Sequence, residues 1–206
     1  MWPHTGAIFC GGQSRRMGRP KAGIILPDGL TMVEHVYKAL KIVCRQVVLV
    51  GHGDGVPVKL NHLIRIPDQW INQGPLGGLE ALLSSGIDSE YIIAPCDLPQ
   101  AVGELFGLLI EDDADAKAVL MSQKSIEPMI GRYSTKILPL VRESLQQGKL
   151  SMRDLVFAVQ PKLIEVPEDL CFALKNVNTE DDMKAQKKGN GQEIVTPLSS
   201  ELNFPR

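Results

Sequence analysis

Between Phe9 and Lys21 the chain reads Phe9-Cys10-Gly11-Gly12-Gln13-Ser14-Arg15-Arg16-Met17-Gly18-Arg19-Pro20-Lys21, mixing glycines, hydroxyl and amide groups and four cations. Glycine lets the backbone approach an anion and take φ > 0, so that successive N–H groups converge, and Arg and Lys supply the opposing charge. The chemistry this favours is the binding of a polyphosphate. A Gly-rich turn after a strand can also serve only to join that strand to a helix, and cations are commonly a solvated face. The spacing is neither G-x-G-x-x-G nor G-x-x-x-x-G-K-[ST], because Lys21 is followed by Ala22 and no Ser or Thr is placed to hold a metal.

Two further groups of residues carry chemistry. Asp97, in Ile92-Ile93-Ala94-Pro95-Cys96-Asp97-Leu98-Pro99, follows an apolar run and is expected at the end of a strand. A carboxylate there either caps the next helix or holds Mg²⁺ against phosphate oxygens, a metal content with one or two protein carboxylates plus phosphates and water. Asp68 precedes Gly74-Pro75-Leu76-Gly77-Gly78 at the start of a helix. Those glycines and the proline shape a loop-to-helix junction. Trp70, between Asp68 and Gly74, could stack on a planar ligand or wedge in the core. His4, His35, His52 and His62 share no ligand spacing and carry no assigned chemistry.

The elements that must hold these residues alternate along the chain. Thr31 with Glu34 forms a capping box ahead of Met32, Val33, Val36, Ala39, Leu40 and Val43, one apolar stripe of a helix. Strands are expected at 6–10, 46–50, 63–67, 91–94 and 116–121, with helices at 75–85 and 102–110. Ser134 is expected to cap a helix through about Gln147, and Thr179 one near 180–187. Residues 129–133 follow the preceding strand too closely for a helical crossover and are expected to run antiparallel. The pattern predicts an α/β, Rossmann-like three-layer sandwich, mainly parallel with one antiparallel strand. Ligands in such sheets bind beyond the carboxyl ends of the strands.

Composition sets bounds on these expectations. The chain has 206 residues, 44% hydrophobic and 22% charged, with a net charge of −2. That suits one domain, 1–188, followed by a tail at 189–206 where periodicity is lost. The slightly acidic balance argues against nucleic acid as partner. Cys10, Cys44, Cys96 and Cys171 show no C-x-x-C pair, so buried thiols in a reducing, cytoplasmic setting are expected. No run reaches the ~18 apolar residues of a membrane span.

The opening segment resembles the signature L-A-G-G-x-S-x-R-M-G-x-x-K of the molybdenum cofactor guanylyltransferases and their nucleotidyltransferase relatives. Gly11, Gly12, Ser14, Arg16, Met17, Gly18 and Lys21 match; Phe9 and Cys10 replace the Leu-Ala pair while keeping its apolar character. Over about the first 190 residues the resemblance implies a nucleotidyltransferase that joins GMP from Mg-GTP to the phosphate of molybdopterin or its molybdenum form, releasing pyrophosphate. It implies Arg16, Lys21 and Asp97 as the catalytic groups, with Mg²⁺ on Asp97 in a C-D-x-P signature. Phe9, Cys10, Gly11, Gly12, Ser14, Lys21, Asp68, Gly74, Asp97 and Asn178 would surround the nucleotide and metal, with Asp68 of a D-x(n)-G-P-L-x-G element beside the base, where a carboxylate can accept from both N1–H and the exocyclic amine of guanine, a donor pair that adenine lacks. The element Asn176-Val177-Asn178-Thr179 resembles the family's N-x-N-T, and Glu127 to Tyr133 its strand on the acceptor side, with Gly131 and Arg132 near a pterin phosphate. Val50-Gly51 stands where the family often has Asn, which leaves a cytidylyltransferase or a sugar-phosphate nucleotidyltransferase open. From another class, a nucleotide-binding regulator without turnover is the alternative. Proteins that deliver the pterin would be further partners.

Overall fold

A computed structural model describes residues 4–11, 20–70, 72–110, 118–122 and 125–176. Seven strands form one sheet in the order β3-β2-β1-β4-β6-β5-β7. They are β1 Thr5–Phe9, β2 Gln46–Val50, β3 Arg65–Ile66, β4 Glu90–Pro95, β5 Ala118–Ser122, β6 Ser125–Ser134 and β7 Lys162–Glu165. Only β6 runs against its neighbours, pairing antiparallel with both β4 and β5, and the remaining pairs are parallel. The expected mainly parallel sheet with one antiparallel strand is therefore what the chain adopts.

Strand alternation divides the apolar residues between two faces. Ile8, Cys10, Leu49, Ile92 and Leu120 meet α1 (Met32–Val43) and α3 (Gly103–Gly107) on one side. Ala7, Phe9, Val48, Val50 and Ile93 meet α2 (Gly74–Ser84), α4 (Leu138–Gln146) and α5 (Met152–Val159) on the other. Both faces are thus covered, which is why β1, β2 and β4 read as unbroken apolar runs.

Local chemistry sets the helix starts. At α1 the Thr31 N–H and hydroxyl both donate to Glu34 Oε2 at 2.8 Å, the expected capping box. Ser134 caps a 3-10 turn, Thr135–Ile137, and the α-helix begins only at Leu138. Pro139 in the first turn of α4 has no N–H to donate backward, so a helix starting at Ser134 would lose a rung there. No element is expected from the sequence where α5, β7 and the 3-10 segment Glu168–Leu174 stand. Of the strand expected over 63–67 only Arg65–Ile66 pairs, and the helix expected over 102–110 is α only through Gly107. The helix expected near 180–187 and the tail at 189–206 lie outside the described residues. Among the described residues no helix is long and apolar enough to cross a membrane.

Candidate active site

Strand β1 is the point where the order of connections reverses. The chain leaves it for β2 through α1, on one face, and returns from β3 to β4 through α2, on the other face. A crevice opens beyond the carboxyl ends of the strands on either side of such a switch. The three exits lie level, with Phe9 in register with both Val50 and Pro95. The ladder then continues one step: Cys10 N–H donates to Val50 O at 2.8 Å, Gly51 N–H to Ile66 O at 2.9 Å and Cys96 N–H to Phe9 O at 3.2 Å. Because the Cys10 N–H is committed to the sheet, the loop's uncommitted donors can begin only at Gly11.

Lys21 and Asp97 meet across this crevice. Lys21 Nζ lies 2.7 Å from Asp97 Oδ2, with the two side chains about one-fifth and one-seventh exposed at 20% and 14%. One comes from the segment after β1 and the other from the segment after β4, so the fold, not local sequence, joins them. The turn Lys21–Gly23 is fixed from beneath by Ala22, buried in the core, and from the side by a glycine contact. A Cβ on Gly23 would strike the carbonyl oxygen of Gly55, and one on Gly55, at φ +77°, would come within 2.8 Å of Pro20 Cβ.

A second glycine contact shapes the floor. Gly51 has φ +99°, and a Cβ there would lie 2.8 Å from both Cα and N of Gly11. Position 51 is therefore held to glycine by the backbone of the loop after β1. This pairing left no signal in the sequence, because Gly11 and Gly51 are forty residues apart.

Asp68 lies in the segment joining β3 to α2, toward the β3 edge. Its Oδ1 accepts from the Trp70 N–H at 2.8 Å, an Asx turn. Burial raises the Asp68 carboxyl above its ordinary value, against the opposing pull of the Trp70 N–H and of His52. Gly77 of α2 sits beneath: a Cβ there would lie 2.8 Å from Asp68 Oδ1 and 3.0 Å from Trp70 O. Gly78, next to it, would bring a Cβ to 3.0 Å from the Phe9 ring. The two glycines thus let α2 approach both the Asp68 carboxylate and β1. Gly74, at φ +64°, begins the helix with nothing within 4 Å of its Cβ position.

Cys10 and Cys96 flank the central pair on neighbouring strands. The hydrogen bond with the Cys96 thiol, together with burial, pushes the Cys10 thiol well above its ordinary range. It is a packing group, not a nucleophile. Gly12, Ser14, Arg16 and Asn178 lie outside the described residues. Among the described residues no three His, Cys, Asp or Glu side chains gather to hold a metal. A site with a single carboxylate suits Mg²⁺ completed by phosphate and water, and does not suit an all-protein metal cage.

The family model for the MobA-like NTP transferase domain matches residues 6–162. The chain belongs to this family. MobA-like NTP transferases are nucleotidyltransferases, so the crevice holding Lys21 and Asp97 is part of an enzyme. Several relatives bear the name "probable molybdenum cofactor guanylyltransferase". The one from Carboxydothermus hydrogenoformans is 34% identical over 185 residues, 86% of this chain and 92% of the relative. The one from Flavobacterium johnsoniae is 31% identical over 184 residues, 87% and 94%. Among solved structures, molybdopterin-guanine dinucleotide biosynthesis protein A from Archaeoglobus fulgidus superposes with TM-score 0.70 at 20% identity, covering 89% of this chain and 97% of that one. The 2-C-methyl-D-erythritol 4-phosphate cytidylyltransferase from Thermus thermophilus gives 0.64 at 14% identity, covering 88% and 96%. Both likenesses lie in the fold.

Proposed function

We propose that this enzyme transfers GMP from GTP to the terminal phosphate of molybdopterin or its molybdenum form, giving a guanine dinucleotide and pyrophosphate. The observation that carries the reading is the 2.7 Å pairing of Lys21 with Asp97 at the strand switch point, with Asp68 set toward the β3 edge. Relatives bearing the guanylyltransferase name align over most of the chain and support the choice of substrates.

An acceptor phosphate oxygen attacks the α-phosphorus of GTP, forming a P–O bond as the bond to the β-phosphate oxygen breaks. The attacking group is already an anion, so no protein nucleophile or general base is required, and the site's work is alignment and charge neutralisation. Gly11 and the following loop bind phosphate through backbone N–H groups. Arg16 and Lys21 balance charge on the α-phosphate and the departing pyrophosphate. Asp97 would hold Mg²⁺, which would supply charge neutralisation to the phosphates. Asp68 accepts from guanine N1–H and the 2-amino group, with Phe9, Cys10, Gly12, Ser14, Gly74 and Asn178 completing the nucleotide surroundings. The setting is cytoplasmic, in keeping with four free thiols, and proteins that deliver the pterin are its expected partners.

Pyrophosphate release with each of GTP, CTP, ATP and UTP, in the presence of Mg²⁺ and molybdopterin, tests this. Release with GTP alone is expected. Release with CTP, or with a sugar phosphate in place of molybdopterin, would replace the reading, and tight GTP binding without any turnover would make the protein a nucleotide-binding regulator.

A further inference from the structure

Asp68 is not the sole half-buried carboxylate at this end of the sheet. Glu127 lies near the start of β6, in register with Leu120 of β5. β6 runs antiparallel to β4, with Gly131 opposite Ile93, so the residues before Gly131 extend toward the end where β4 leads to Asp97. Along the strand order the central pair sits between β1 and β4, Asp68 follows β3 on one side, and Glu127 stands on β6 on the other.

The backbone around Glu127 is irregular. Between Val119 and Leu120 the β5–β6 register shifts from Gly131 to Glu127, leaving Pro128, Met129 and Ile130 as extra residues on β6. The hydroxyl of fully buried Tyr133 holds the bulge by donating to Pro128 O at 2.7 Å. A bulge at a sheet rim commonly re-aims a side chain beside a site. Glu127 accepts no hydrogen bond from any described residue. Burial raises its carboxyl, partly offset by the charge of Arg153 on α5. A carboxylate without donors in a half-buried position is held there at a cost that a donor-rich ligand would relieve.

The reaction geometry says what that ligand is. Attack on the α-phosphorus proceeds opposite the departing pyrophosphate, so the acceptor's phosphate has to reach the Lys21–Asp97 pair while its body lies away from the nucleotide base. With the base at Asp68, the β6 side remains for the acceptor. A pterin presents N3–H and a 2-amino group side by side, the same donor pair that guanine offers with N1–H and its 2-amino group. Resting on the proposed guanylyl transfer, we infer that Glu127 reads the 2-amino-4-oxo edge of the acceptor's pterin. The enzyme then reads one donor pattern twice, once on each side of the reacting phosphates.

Glu127→Gln keeps the shape and removes half of the acceptor capacity. Expected is a rise of roughly 10- to 100-fold in KM for molybdopterin, with kcat and KM for GTP close to those of the wild type. An unchanged molybdopterin KM, or an equal rise in the KM for GTP, overturns the assignment. A measurement that needs no turnover and no variant uses ligand-detected NMR on the intact protein, its nucleotide site filled by α,β-methylene GTP. Free pterin should bind several-fold more tightly than lumazine, which has a carbonyl in place of the 2-amino group, and Glu127→Gln should erase the preference. Equal binding of the two by the wild type overturns the inference. Absence of GMP transfer to molybdopterin by the wild type would instead refute the guanylyltransferase reading, while the pterin–lumazine comparison still decides Glu127.

Discussion

The two ends of the same sheet use charged residues in opposite ways. At the amino ends of the strands, Asp88 is saturated: its Oδ2 accepts from the Thr5 hydroxyl at 2.7 Å and from Arg45 Nη2 at 2.9 Å, and its own N–H donates to Tyr91 OH at 2.8 Å. Gln46 closes the group by donating to Thr5 Oγ1 at 3.0 Å. At the carboxyl ends, Asp68 keeps one oxygen that no described residue engages, Glu127 has no described donor, and the Lys21 ammonium and Asp97 face each other in a crevice. A filled network stabilises one arrangement of the chain, whereas a site holds capacity in reserve for what it binds. Charge alone does not separate the two ends of the sheet; carboxylate valence left open by the described residues, at Asp68 and Glu127, does.

The largest expected effect comes from removing charge at the carboxyl end. Lys21→Ala should lower kcat by roughly 10²- to 10³-fold, about 2.7–4 kcal/mol of transition-state stabilisation, with a far-UV spectrum and melting temperature close to those of the wild type. Steady-state kinetics beside a thermal melt separates the two readouts. Asp88→Ala should do the reverse, leaving Arg45 and Thr5 without their acceptor. A loss of about 2–3 kcal/mol in urea unfolding is expected, with kcat per folded molecule unchanged. If the effects were exchanged between the two variants, the division between the ends would fail.

Gly51→Ala probes the contact that joins the exits of β1 and β2. The added methyl has to displace Gly11, and at φ +99° the backbone is strained for alanine. A loss of about 1–3 kcal/mol is expected, with a fall in GTP affinity of roughly tenfold, measurable by calorimetry. Gly29→Ala, also at positive φ but with open space around its Cβ, should cost stability without touching GTP affinity.

Asp68→Asn gives the smallest change in fold and the sharpest change in specificity. Asn keeps the acceptor for Trp70 N–H but offers one donor and one acceptor to the base, so preference should move from GTP toward XTP by roughly tenfold or more. The charge is also costly in the free protein. Because burial raises the folded-state value above the unfolded one, the ionised form is disfavoured by folding, and this penalty is fully felt at neutral pH. Asp68→Asn should therefore leave the melting temperature at pH 7 equal to or slightly above that of the wild type. For the same reason, GTP affinity in the wild type should begin to fall on acidification above the ordinary aspartate range, and Asp68→Asn should lack that dependence.

The local features of the site were legible in the sequence because their signals are contiguous. The Gly11 to Lys21 segment, the strand-end Asp97, the Asp68 to Gly78 element and the Thr31 capping box each occupy a short window, and the described parts of each stand where the spacing puts them. What escaped was of another kind. The Gly51–Gly11 and Gly23–Gly55 contacts join distant windows, and nothing about an isolated glycine says which backbone it must admit. Strand β7 has four mostly exposed residues at the sheet edge, too few to show a period, and α5 has eight. The strand expected from alternation at 129–133 misses the start of β6 because a bulge interrupts alternation there, while the family resemblance already begins its strand at Glu127.

The central claim is that Asp97 and Lys21 meet to handle the phosphates of a transferred GMP. Transfer of label from [α-³²P]GTP to molybdopterin in Mg²⁺, by wild type and Asp97→Asn at equal concentrations of folded protein, tests it most directly. Labelled dinucleotide is expected from the wild type and a rate at least ~100-fold lower from Asp97→Asn, with the two proteins melting alike. Undiminished transfer by Asp97→Asn would contradict it.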